Sequence, residues 1–199
     1  MTRLRARGDS GQVFPIYITV VAGLLFLAFA YFAVGQAAVN RNGAQTAADA
    51  AALAAAQETR DQLAGLWVDA VRDPTKWQEI FAGIGAADDT CWRAYELAGQ
   101  NDASVDDCDS ERLRSTVAVQ TNKTAGTSVI PATSTKRAHA SATAVIESLC
   151  TFVPLDQNAP DDVLPKLTCK DGKEWDLDPT DLEVLPSPKD LFDVHLAND

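Results

Sequence analysis

The chain opens on an unbroken apolar stretch and then changes its hydrophobic period. No charged residue occurs from Gln12 to Asn40, and Val13 to Val34 is almost wholly apolar. As a helix rising ~1.5 Å per residue, those 22 residues reach about 33 Å, enough to cross ~30 Å of hydrocarbon. A secretory signal peptide carries an apolar core of only ~7–15 residues before a small-residue cleavage site, so this run predicts a retained anchor. Pro15 lies near its start, where a helix has unpaired N–H groups and tolerates proline.

Helical sequence continues past Asn40. Gly43 is the single weak point before an alanine-rich stretch from Ala44 to Ala56, and alanine is the best helix former. Ala48, Ala52, Ala55, Thr59, Leu63, Leu66, Trp67, Ala70 and Val71 recur at steps of three and four, which marks one buried face. Asp49, Glu58, Asp61, Asp69 and Arg72 fall mostly on the other side. Pro74 ends the element, with Asp73 before it biased away from helix. The expected layout is a basic tail over 1–11, a transmembrane helix over 12–40, an extension of the same helix over 41–73, and an α+β domain over 74–199.

Residues 75–100 read as two helical pieces broken at Gly83 and Gly85, the second starting near Asp88 and Asp89 and ending at Gly99. Ala103 to Ser110 reads as an acidic loop. The period then becomes two. Leu113, Ser115, Val117, Val119 and Thr121 alternate with Arg114, Thr116, Ala118 and Gln120, and after a loop from Lys123 to Thr135 a second run places Ala138, Ala140, Ala142, Ala144 and Ile146 on one face. Two such runs predict an antiparallel pair. Small side chains let a sheet lie close on a helix, and the alanines at 48–56 are its natural partner. Lys170 to Lys173, with Asp171 and Gly172 at the centre, signals a hairpin whose arms are Leu167–Cys169 and Glu174–Leu177. Asp190 to Leu196 is a candidate last strand or docked peptide.

Charge orients this plan. The net charge is −11, yet Arg3, Arg5 and Arg7 outweigh Asp9 before the apolar run, so the acid excess lies wholly after it. A basic head and an acidic body predict the N-terminus in the cytoplasm and the C-terminal domain outside. An acidic body also argues against nucleic acid as a partner, because phosphate binding needs clustered Lys and Arg. The basic tail would lie against anionic lipid headgroups. The four cysteines, Cys91, Cys108, Cys150 and Cys169, all follow the anchor and so face an oxidising compartment. Their spacings fit neither a redox C-x-x-C motif nor a zinc site. Of three pairings, Cys91–Cys108 and Cys150–Cys169 are favoured because each closes a short loop, at ~3 kcal/mol each in the chain-entropy model.

No catalytic constellation is found, and no substrate-sized ligand or cofactor is expected. His139 and His195 lie in no zinc spacing, and G-x-S-x-G, P-loop and G-x-G-x-x-G motifs are missing. The acidic runs Asp106, Asp107, Asp109, Glu111 and Asp171, Glu174, Asp176, Asp178, Asp181 lack the EF-hand order and read as solvated loops. Trp67, Trp77, Phe81, Trp92 and Tyr95 read as core packing. Asp49, a lone acid in the alanine run, is either a solvent-facing charge or a contact with a partner's N-terminus or basic side chain.

Three features together resemble a known family: the opening from Arg7 to Gly11, the apolar run, and above all the stretch from Gly43 to Ala56 with Asp49 among alanines. This segment is similar to the Tad (tight adherence) pilus-assembly proteins, the TadE/TadG-like group, over about a quarter of the chain. The paired strands also resemble the family's later part. The resemblance implies an accessory or minor-pilin-like role, with other Tad components or pilin subunits as partners. Relatives are cut by a prepilin peptidase after a glycine, with a glutamate at the fifth mature position and an aromatic next. Gly11 and Gln12 would form that junction, with Tyr17 as the aromatic, while Ile16 stands at the glutamate position. That departure implies inefficient cleavage and a fixed accessory component.

The expected fold is therefore α+β: a long membrane-spanning helix packed on a small antiparallel sheet, with two disulfides. The leading role is structural, in a Tad or type IV-related pilus. The alternative is a membrane-anchored adhesin or binding module that only shares this anchor.

Overall fold

A computed structural model describes residues 13–86, 89–124, 136–155, 163–178 and 184–198. The candidate processing residues Gly11 and Gln12 lie outside them.

One helix, α1, runs from Val13 to Asp69, 57 residues without a break. Gly43 does not interrupt it, because helices on both sides hold it in register. The helix stops four residues before the expected limit. From Ala70 the chain tightens into turns, with Val71 N–H donating to Val68 O and Asp73 N–H to Ala70 O, before Pro74 forbids further helix. Two short helices follow, α2 (Trp77–Phe81) and α3 (Cys91–Gln100). Gly83 joins them at φ +79°, and a Cβ there would approach Leu113 Cγ to 2.8 Å, so only glycine fits.

The main sheet holds β1 (Ala103–Glu111), β2 (Arg114–Thr121), β3 (His139–Ser148) and the last strand, in the order β1-β2-β3-last, all antiparallel. The expected alternation holds. Ser115, Val117, Val119 and Thr121 on β2, and Ala142, Ala144 and Ile146 on β3, are buried. Helix α1 lies across this face against β2, β3 and the last strand, and α3 packs beside it over β1. The result is two layers among the described residues.

The segment from Ala103 to Ser110, expected as an acidic loop, is instead the edge strand β1. It carries a bulge between Val105 and Asp107. Before the bulge Ala103 and Val105 oppose the buried Thr121 and Val119; after it Cys108 and Ser110 oppose Val117 and Ser115. The extra residue, Asp106, shifts the inward set from odd to even positions. That shift hid the period of two from the sequence and turns Cys108 inward, where it bonds Cys91 at the start of α3. Acids on the outer positions also suit an edge strand, since charge discourages pairing with another chain.

A second, smaller sheet comprises β4 (Cys150–Phe152), β5 (Leu167–Cys169) and β6 (Glu174–Trp175). The expected hairpin joins β5 to β6, with Gly172 at φ +81°. Cys150 and Cys169 are directly opposed across β4 and β5 and form the second disulfide. The chain closes with a single helical turn, α4 (Pro188–Leu191), that feeds the last strand of the main sheet, β7 (Phe192–Leu196).

An aromatic cluster joins the two sheets beneath the end of α1. Trp67 and Trp77 lie 5.5 Å apart, Trp77 meets Phe152 edge-on at 5.2 Å, and Phe81 bridges Phe152 and Phe192. Trp77 Nε1 donates to Ala70 O at 2.9 Å. Trp92 and Tyr95 do not join this core. They are 49% and 58% exposed on the outer side of α3, because that helix buries only its alanine side, Ala94 and Ala98.

Candidate functional site

Along α1 the side chains divide the helix sharply. From Phe14 to Val39 the large apolar side chains are exposed, save the half-exposed Val21: Phe14, Leu24, Leu25, Phe26, Phe29, Tyr31 and Phe32 are all more than half exposed. Thr19 Oγ1 donates to Pro15 O at 2.8 Å, so this hydroxyl is satisfied within the helix. Length and apolarity suffice to cross a bilayer, and this single helix fits a single-pass membrane anchor. From Ala44 the pattern inverts, and Ala44, Ala47, Ala48, Ala51, Ala52, Ala55 and Ala56 are buried.

Asp49 sits at the start of this buried half, where α1 meets the beginning of β3. It is half-buried. Gln45 Nε2 donates to Asp49 Oδ1 at 2.8 Å and reaches Ser141 O at 3.4 Å, tying the carboxylate loosely to the sheet. Gln45 holds one carboxylate oxygen.

Farther up the helix, sequence periodicity missed a buried hydroxyl chain. Thr59 Oγ1 lies 3.2 Å from Thr90 Oγ1, Thr90 donates to Ser110 Oγ at 2.8 Å, and Ser110 and Ser115 share a bond of 2.9 Å. Thr59 also donates to Ala55 O. The chain locks α1, the start of α3, β1 and β2 together, and each hydroxyl finds a partner that burial would otherwise deny it. Only the buried position of Thr59 in the apolar face signalled it.

The other candidate residues lie apart from this seam. His139 and Asp106 meet at 3.0 Å on the exposed sheet face, and Gln120 also donates to Asp106. His195 pairs with Asp193 at 2.9 Å. Glu147, Asp193 and His195 bring ligand atoms within 4.8 Å of one another, a juxtaposition across β3 and β7 that spacing could not reveal. All three are exposed, and Glu147 already pairs with Lys170. In the second acidic run, Glu174 and Asp176 both engage Lys166, whose ammonium they hold above its ordinary pKa, Glu174 foremost. Asp171 accepts from Lys173 N–H in the hairpin. Asp181 lies outside the described residues. Asp190 accepts from the Ser187 hydroxyl, which holds its carboxyl below the usual range, helped by the Ser187 N–H at 2.9 Å and by Lys173. Asp73 is likewise lowered, first by the Thr75 hydroxyl and then by Lys76.

These contacts cap turns and pair strands. Among the described residues, the exposed apolar half of α1 and the buried alanine seam meet near Asp49. No curated protein and no solved structure matches the chain. Residues 11–58, the apolar stretch and the alanine run of α1 as far as Glu58, match the family model Tad, described as putative Flp pilus-assembly TadE/G-like, over about a quarter of the chain.

Proposed function

We propose that the chain is a structural or accessory component, minor-pilin-like, of a Tad or type IV-related pilus assembly system. It is held in the cell membrane by α1, with the basic tail in the cytoplasm and the two-layer domain outside. The match of residues 11–58 to the Tad pilus-assembly model carries the reading, because it falls on the helix that joins anchor and domain. A Tad segment also favours a structural over a catalytic role. Partners are other pilus components or pilin subunits, met along the exposed helix and at Asp49. Cleavage after Gly11 is inefficient, since Ile16 stands where processed relatives have glutamate.

Deleting the chain in its own cell, then restoring it, tests the role. Loss of surface pili that the full chain restores supports it. Intact piliation with loss of adhesion alone overturns it in favour of an anchored adhesin. Topology has its own readout: Thr2→Cys stays shielded from impermeant thiol reagents in intact cells, and its labelling refutes the orientation. Intact-mass measurement reports processing, where quantitative trimming to Gln12 contradicts a fixed component.

A further inference from the structure

Antiparallel register sets three metal-ligating groups side by side on the sheet face turned away from α1. Ala144 and Ile146 on β3 and Phe192 on β7 are buried, so Val145, Glu147, Asp193 and His195 between and beside them point the other way. Glu147 is the direct cross-strand partner of Asp193, and Val145 that of His195. Asp193 and His195 are therefore two residues apart on one strand, with Glu147 opposite the first. Their ligand atoms lie within 4.8 Å of one another, and all three residues are exposed.

Two carboxylates facing each other across paired strands repel, and the pair calls for a cation. Lys170 meets part of that need. Its backbone N–H donates to Leu149 O at 2.9 Å, just past the end of β3, and its ammonium pairs with Glu147. Asp193 Oδ2 lies 2.9 Å from His195 Nδ1 and holds the ring beside the acids. Arg114 stands one row away, opposite Val145 and Glu111. The imidazole sets this trio apart from the acidic runs of the chain, because it adds a nitrogen donor to the carboxylate oxygens.

We propose that Glu147, Asp193 and His195 form a binding site for a first-row divalent metal ion, with Zn²⁺ the ion that fits it best. An imidazole nitrogen favours zinc and its neighbours over calcium and magnesium, and carboxylate oxygens complete a mixed ligand set. Two carboxylates and a neutral imidazole match the two positive charges of the ion. Ligands held ~2.0–2.2 Å from a tetrahedral zinc sit roughly 3.4 Å apart, so these exposed side chains need only a modest rotation to close on it. Water fills the fourth position, and the Lys170 ammonium gives way. Strand β7 is five residues long and lies at the end of the sheet order, against β3. The ion staples that strand to its neighbour.

The test uses the full chain in detergent micelles, stripped of metal by a chelator and titrated with Zn²⁺ and, separately, with Ca²⁺. The expected result is one Zn²⁺ per chain, held more tightly than Ca²⁺, and a thermal melt raised by saturating Zn²⁺. His195→Ala weakens Zn²⁺ binding by at least the ~10-fold that loss of an outer-sphere group alone costs, and it removes the rise in the melt. Glu147→Gln, nearly the same in shape, does likewise. Lys170→Gln removes the competing ammonium and tightens binding. His139→Ala is the control: that histidine pairs with Asp106 at 3.0 Å but lies outside the trio, and its loss leaves Zn²⁺ binding unchanged. No saturable Zn²⁺ binding, Ca²⁺ held as tightly as Zn²⁺, or binding that survives His195→Ala or Glu147→Gln overturns the site. An equal loss in His139→Ala assigns the ion to exposed histidines at large and overturns it too.

Discussion

The two halves of α1 share one backbone and obey opposite rules. Between Phe14 and Val39 large apolar side chains point outward on every side of the helix and nearly all are exposed. Between Ala44 and Ala56 the side chains are among the smallest available, and most are buried. Hydrocarbon rewards apolar area wherever it points, so the outer half gains by carrying Phe, Leu and Tyr all round. A sheet rewards close approach, so the inner half carries alanine, and the opposing strand answers with Ala142 and Ala144. Residue size, not helix propensity, separates the two environments.

The comparison breaks most violently if a charge enters the outer half. Leu25→Arg is expected to cost insertion about 2.5–3.5 kcal/mol near the helix centre, and fractionation of membranes should find the protein lost or mislocalised. Membrane retention at the wild-type level would show that this half does not span.

Next in size is a matched pair of substitutions. Ala52→Leu, or Ala142→Leu across the seam, overpacks a close helix–sheet contact and should destabilise the domain by ~1–3 kcal/mol in a thermal melt. Ala28→Leu, on the outer half of the same helix, should leave the domain's melt unchanged. A wild-type melt for Ala52→Leu would remove the seam from the account.

The seam was legible because its two periods, 3.6 along α1 and 2 along β2 and β3, survive in the sequence. The short-range hairpin was legible from Asp171 and Gly172. Strand β1 was not, because the bulge at Asp106 breaks its alternation and its outer positions are acidic. Nor could any local pattern bring β7 from the chain's end to pair with β3, since that contact is made by tertiary packing alone. The disulfides followed from loop length, while the joining of buried Thr59, Thr90 and Ser115 through half-buried Ser110 in one hydroxyl chain did not. Trp92 and Tyr95 misled for a simple reason: helical spacing identifies a face without saying which face is covered.

A smaller effect is expected at the far end of the domain. Asp190 has its folded pKa depressed by Ser187, so it contributes stability above its unfolded pKa near 4, lost as pH falls through the carboxylate range. Asp190→Asn should lower the melt at neutral pH by less than about 1 kcal/mol and match wild type in acid. An equal loss at both pH values would assign the effect to packing. Smallest of all is Asp49→Ala, which should leave folding nearly unchanged, alanine being the better helix former. Its expected loss is instead in piliation or in co-purification with pilus components, and full recovery of partners would leave Asp49 a solvated charge.

The division of α1 itself is open to direct measurement. A spin label walked along the helix from Phe14 to Gln57 in reconstituted bilayers, read by its accessibility to oxygen and to a water-soluble relaxant, reports lipid and water position by position. Oxygen-accessible sites through Val34, a change of character between Val34 and Arg41, and water access at Gln57 with the helical period unbroken throughout are the expected result. Water access at Leu24 or Leu25, or a loss of period at Gly43, would contradict a single helix shared between membrane and domain.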